Sequence, residues 1–176
     1  MAAINPVHAI YSRSRQSYCF FRCPAYTLKT LKQRIRGDPR ERQESKLVFI
    51  EKKRICVFDL DAEDCDQTAD AIGQHFEKLQ ARVEIVKFTD KTAFTYDFRD
   101  NKEAGRPYDM SFVGVDSMIG VEAAIDIRSQ DARHPIFLVS RGNEYASEGF
   151  RLCALDYLIK PVWPARAGRA IRRINE

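Results

Sequence analysis

The residues of this chain best suited to chemistry are one lysine and several aspartates, each standing at the end of a short apolar run. Lys160 ends the run Tyr157-Leu158-Ile159 and is followed by Pro161, which lacks a backbone donor and stops a hydrogen-bonded ladder. Asp59 follows Ile55-Cys56-Val57-Phe58, with Asp61 two positions on. Ser140 closes the run 136–139, and Asp116 lies just past the run 110–115. In an open α/β sheet the carboxyl edge of the strands is where ligands bind, and a lysine there faces an anion or a carboxylate cluster. The plain alternative is a lysine that buries its stem and lifts its head into solvent. Residues two apart on one strand point to the same side, so a third strand continuing past Gly114 would allow a pocket of Asp59, Asp61, Asp116 and Lys160. Against that, Asp61 has a simpler role as a helix cap.

The elements needed to gather these residues follow from the pattern. After the run 55–58, Asp61 or Asp64 can cap a helix whose apolar positions Ala69, Ile72, Phe76 and Leu79 recur at spacings of three and four. A second strand is expected over 83–88, then Thr89-Asp90 as a cap, a short helix around 93–98 and a loop over 101–107. A third strand, 110–115, is interrupted by Gly114. Helix 120–130, strand 136–139, helix 144–152, strand 157–159 and a basic amphipathic helix over 164–174 complete the order. Five strands alternating with five helices predict a five-stranded parallel, doubly wound sheet with right-handed crossovers and helices on both faces.

Charge divides the chain differently. The first 54 residues hold 13 Lys and Arg against 4 Asp and Glu, and the remaining 122 hold 16 against 21, so the net +4 of the whole describes neither part. Two parts are expected: a basic, disordered extension over 1–52 and a folded domain over 53–176. Acid-free as far as Gly37, the extension fits a transit peptide, an arm touching nucleic acid or acidic lipid headgroups, or an extension from a start codon placed too far upstream. Its aromatics lack a repeated spacing and its basic residues gather on no helical face, which favours disorder. A marginal helix over 27–36 is all it offers. Cys19 and Cys23 have no second pair to complete a zinc site, and five scattered cysteines suit a reduced, cytoplasmic protein. No apolar run approaches the roughly 18 residues of a membrane span. His8, His75 and His134 fall far apart, and no catalytic triad, phosphate-binding loop or zinc spacing appears.

Taken together, ICVFDLDAED, FTDKTAF, YDMSFVG, PIFLVS and NEYASEGFRLCALDYLIKPV resemble the receiver domain of two-component response regulators, closest to the branch that precedes a LytTR-type DNA-binding domain. The resemblance covers about 53–175 and implies a flavodoxin-like fold. In that family an acid pair after the first strand holds Mg²⁺, an aspartate ending the third strand accepts a phosphoryl group, a hydroxyl ends the fourth, and a lysine precedes a proline at the fifth, commonly through a cis peptide. A neighbouring aromatic reports the switch state in that family, the position of Tyr157, for which the plain alternative is that Asp156-Tyr157 is no more than the entry to a strand. Asp59, Ser140 and Lys160 match these positions; Leu60 falls on the second acid and Gly114 on the phosphoacceptor. The loop after Gly114 is also about two residues short.

Glycine offers no carboxylate nucleophile and leucine no oxygen for a hard cation. The resemblance therefore implies a receiver degenerate at the phosphoacceptor, with no catalytic residue, cofactor or metal, and a Lys160–Asp59 ion pair in place of a ligand. Its partner would be a protein, or a second copy of the chain, docked on the fourth helix, fifth strand and fifth helix. The chain ends soon after that helix, so any effect on transcription is expected to pass through a partner or the basic arm. The competing expectation is a phosphorylatable receiver using Asp116 as acceptor, with Mg²⁺ on Asp59, Asp61 and Asp116.

Overall fold

The computed structural model describes residues 52–175, and the readings made of residues 1–51, including Cys19 and Cys23, lie outside them. Five strands form one parallel sheet in the order β2-β1-β3-β4-β5. They are β1 (Lys53–Phe58), β2 (Val83–Phe88), β3 (Met110–Gly114), β4 (Ile136–Ser140) and β5 (Asp156–Ile159). Between and after them run α1 (Ala62–Lys78), α2 (Lys91–Glu103), α3 (Met118–Gln130), α4 (Ala146–Arg151) and α5 (Pro164–Arg172).

Strand periodicity builds two apolar layers. On one face Ile55, Val57, Met110, Phe112, Phe137, Val139 and Leu158 pack under α1 and α5, meeting Ile72, Phe76, Ala167 and Ala170. On the other, Cys56, Phe58, Val113, Ile136 and Leu138 meet Phe94, Phe98, Val121, Ala124 and Ile127 of α2 and α3. All of β3 and β4 is buried, as central strands covered on both faces must be.

Several boundaries depart from the pattern reading. Helix α2 begins at Lys91 and continues to Glu103, so residues 101–103 of the expected loop 101–107 are helical. Asp90 caps its start by accepting from Ala93 N–H at 2.7 Å, and Phe94 and Phe98 anchor it at a spacing of four. Helix α3 starts at Met118, two residues earlier than its apolar spacing suggests, and the strand before it stops at Gly114. That leaves three residues between β3 and α3 and brings the first turn of α3 down onto the strand end. A Cβ on Gly120 would collide with the Gly114 carbonyl oxygen, so only glycine fits there. Among the described residues no helix is long and apolar enough to cross a membrane.

Candidate functional site

Because all five strands run the same way, β1, β3, β4 and β5 deliver their final residues to one edge, and the loops beyond them carry the charged side chains. Lys160 follows β5, its side chain only 4 % exposed, and is joined to Pro161 by a cis peptide. Its backbone N–H continues the ladder to Ser140 O at 2.8 Å, which holds the side chain over the sheet edge. The ammonium donates to Asp59 Oδ2 at 2.5 Å, Asp64 Oδ2 at 2.9 Å and Asp116 Oδ2 at 2.5 Å. Three donors on one nitrogen are thereby matched by three carboxylates.

Each carboxylate arrives by a different route. Asp59 extends directly from β1 and is buried; its Oδ1 accepts the Asp61 N–H at 3.1 Å. Asp64 sits in the first turn of α1, where the exposed N–H groups and the helix dipole favour a negative charge. Asp116 lies beyond β3, in the three-residue connection. Its Oδ1 accepts from Ser140 Oγ at 2.7 Å and from the Arg141 N–H at 2.5 Å, so two bonds from the end of β4 fix it over the edge.

The expected pocket of Asp59, Asp61, Asp116 and Lys160 is thus assembled with one exchange. Asp61 caps α1, accepting from Glu63 N–H at 3.0 Å and Asp64 N–H at 3.4 Å, and its other oxygen takes Arg141 at 2.8 Å. A carboxylate used as a cap points back along the helix start, and Asp64, one turn on, takes the inward place. Arg141 bridges both, reaching Asp64 Oδ2 at 2.6 Å. Asp64 and Arg141 are the members that the sequence reading did not assign to the pocket. Their signals were a further acid in the first turn of α1, five residues after Asp59, and a basic residue directly after the strand-end hydroxyl.

Gly114 shows why β3 ends bare. A Cβ built there would run into the Asp59 carboxylate, so Asp59 occupies the space into which a side chain at this position would grow. The short connection and the bare glycine are one adjustment: α3 closes tightly on the strand end, and the acid is supplied two residues later from the loop.

Electrostatics separate the members. Burial opposes the charge on Lys160, but hydrogen bonds to Asp116, Asp59 and Asp64 outweigh it and hold the amine above its ordinary range. Burial likewise opposes ionisation of Asp116, yet Lys160, the Arg141 amide and Ser140 together hold its carboxyl below the ordinary value. Asp59, the most enclosed of the three, goes the other way: burial, with the charge of Asp64 beside it, raises its carboxyl despite the hydrogen bonds from Lys160 and the Asp61 amide. Among the described residues, Asp59, Asp64 and Asp116 are the acidic group that could hold a metal ion, each offering one oxygen, all within 4.8 Å of one another. Hard cations take such all-oxygen sets, and Mg²⁺ fits the donor chemistry if Lys160 yields part of its share.

No family model matches the sequence, and no curated protein matches it. Solved structures do. The response regulatory domain of protein mrkE from Klebsiella pneumoniae is 22% identical with a TM-score of 0.56, covering 69% of this chain and 94% of that one. A signal receiver domain of a two-component histidine kinase from Clostridium thermocellum is 15% identical with a TM-score of 0.58, covering 70% and 98%. A chain of the CheX-CheY-BeF3-Mg complex from Borrelia burgdorferi is 12% identical with a TM-score of 0.57, covering 70% and 90%. At these identities the likeness establishes the fold, that of receiver domains.

Proposed function

We propose that this chain is a receiver-like signalling module of a two-component phosphorelay that acts by protein contact, with phosphotransfer lost: a pseudo-receiver and not an enzyme. The observation that carries this reading is the end of β3. Gly114 has no side chain, the Asp59 carboxylate fills the space beside it, and Asp116, the nearest substitute, already has both oxygens engaged by Lys160, Ser140 and Arg141. A carboxylate attacking phosphorus needs a free oxygen and a divalent cation to neutralise the incoming charge. Releasing an Asp116 oxygen means giving up a charge-assisted bond.

The contact face is the one formed by α4, β5 and α5. Phe150 on α4, Ile159 at the end of β5 and Trp163 at the start of α5 are 87%, 45% and 65% exposed, an unusual set of large apolar side chains to leave in water. Binding of a protein partner, or of a second copy, would cover them. The LytTR-type resemblance and a cytoplasmic location belong to the same reading; nucleic-acid contact through the arm 1–52 is a separate proposal, which requires salt-dependent binding that is lost when the arm is deleted. Incubation with acetyl phosphate and Mg²⁺ followed by intact mass measurement tests it: the mass stays unchanged, and gain of a phosphoryl group on an aspartate overturns the reading.

The grouping of Asp59, Asp64 and Asp116 favours a second reading, a phosphorylatable receiver with Asp116 as acceptor and Mg²⁺ on these acids. Here Asp59, Asp64 and Asp116 would hold the ion and Lys160 would steady the charge developing on the phosphoryl oxygens. This reading requires Mg²⁺ affinity that disappears in Asp116→Ala; a wild-type protein with no such affinity removes it.

A further inference from the structure

Lys160 holds two carboxylates besides Asp116. Asp59 and Asp64 already lie 2.5 Å and 2.9 Å from its ammonium, so a third carboxylate at 2.5 Å adds repulsion to a pocket that holds more acid than base. What offsets that repulsion is the other side of Asp116, where Oδ1 takes the Ser140 hydroxyl and the Arg141 backbone N–H. An ammonium, a hydroxyl and a backbone N–H converging on one small volume form an anion-binding set, and here the anion is a side chain of the same protein.

The bonds do not stop at the pocket. Ser140 Oγ accepts from Gly142 N–H at 3.4 Å, and the Gly142 carbonyl accepts from Tyr157 Oη–H at 2.8 Å. Tyr157 is half-buried on β5, and its ring faces Gly149 of α4, where an added Cβ would stand 3.8 Å from Tyr157 Cδ2. One connected series of bonds therefore runs from Asp116 through the β4–α4 loop to an aromatic residue lying between β5 and α4.

We propose that Asp116 is a resident anion: by occupying Lys160, Ser140 and the Arg141 amide it fixes the β4–α4 loop and Tyr157 in one arrangement, with no phosphoryl group or other ligand. The inference rests on the reading of this module as one that works without phosphotransfer, and it names how the contact face is held. A pocket that supplies its own anion does not wait for a donor. The face formed by α4, β5 and α5 is then presented continuously, and control passes to the amount of protein or of partner.

The test follows amide exchange at Arg141 and Gly142 and the ring resonances of Tyr157 by NMR in the full chain. Wild type, Asp116→Ala and Asp116→Asn are compared, each with and without beryllofluoride plus Mg²⁺. In wild type the Arg141 amide is protected, and the additives move neither it nor Tyr157. In Asp116→Ala protection at Arg141 falls by about tenfold or more, the loss expected for a charge-assisted bond, while amides of β1 and β3 keep theirs. Asp116→Asn, which can still accept from Ser140 and Arg141, falls between. Unchanged protection and an unchanged Tyr157 in Asp116→Ala overturn the proposal, as does a wild-type loop that shifts on adding beryllofluoride. Should Asp116→Ala fail to fold, Ser140→Ala breaks the series with no change of charge; it loosens Gly142 and Tyr157, and an unmoved pair there also overturns the proposal. A phosphoryl group found on wild-type Asp116 defeats the phosphotransfer-free reading itself, whereas an unmodified mass with an unmoved loop in Asp116→Ala defeats only the resident anion.

Discussion

Among the described residues, a polar cluster at each end of the central strands solves an opposite problem. At the carboxyl edge, Asp59, Asp64 and Asp116 surround Lys160, with the side chain of Asp116 28% exposed and Arg141 spread over the mouth. Toward the amino ends of the strands, Cys56 Sγ lies 2.9 Å from Ser111 Oγ, which lies 2.6 Å from His134 Nε2, and all three are buried. The second cluster carries no charge. Burial raises the Cys56 thiol to about 12 and holds His134 down to about 4, so both stay neutral at pH 7. A closed site can be satisfied with neutral donors and acceptors in pairs, whereas a site of carboxylates needs a cation and stays near water.

The difference sets the size of each effect. Replacing Lys160 by Met leaves three carboxylates without their shared cation. The expected loss is about 3–5 kcal/mol, as for a buried ion pair deprived of one partner, read as a fall in the urea midpoint. A shift within error would show the acids to be hydrated, and the contrast with the amino-end cluster would collapse.

His134 comes next, through pH. Its folded value near 4 lies below the ordinary 6.5, so between those values the unfolded chain binds a proton that the folded one refuses. Stability is complete above about pH 6.5 and falls on acidification toward 4, by about 3 kcal/mol at most. Asp59, shifted upward by burial, opposes this at the acid end, so the measurement is the difference between wild type and His134→Gln. The variant loses the His134 share of the slope and keeps that of carboxylates held low in the fold, such as Asp116 and Asp131; an identical slope in both would show His134 to be protonated in the fold.

Gly114→Ala probes where the charged cluster meets the strand. The new methyl group displaces the Asp59 carboxylate from Lys160, at a cost of about 1–3 kcal/mol by analogy with overpacking. An unchanged melting temperature would mean that Asp59 swings aside freely. Smallest is Arg141→Ala: its guanidinium is 61% exposed at the mouth, screened by solvent, and its loss leaves thermal unfolding unchanged. A clear destabilisation would mark the mouth as closed.

The carboxyl-edge cluster was partly legible in the sequence because parallel topology alone sends Asp59, Ser140 and Lys160 to one edge. The exchange of Asp61 for Asp64 was not, since it depends on which acid caps α1, a matter of side-chain direction within one turn. A short loop after Gly114 argues against Asp116 reaching the pocket; the structure uses that shortness, seating α3 on Gly114 and drawing Asp116 inward through Ser140 and Arg141. The amino-end cluster was invisible. Cys56 and Ser111 meet only through the β1–β3 register, and His134 joins them from the turn before β4. The continuation of α2 to Glu103 escaped because polar residues 99–103 carry no apolar period.

The most direct test of the central claim, that Asp116, with both oxygens engaged, takes no phosphoryl group, is phosphorus NMR of the full chain mixed with acetyl phosphate and Mg²⁺. The account predicts signals from the donor and from inorganic phosphate alone. A protein-bound acyl phosphate signal, absent in Asp116→Ala, would contradict it.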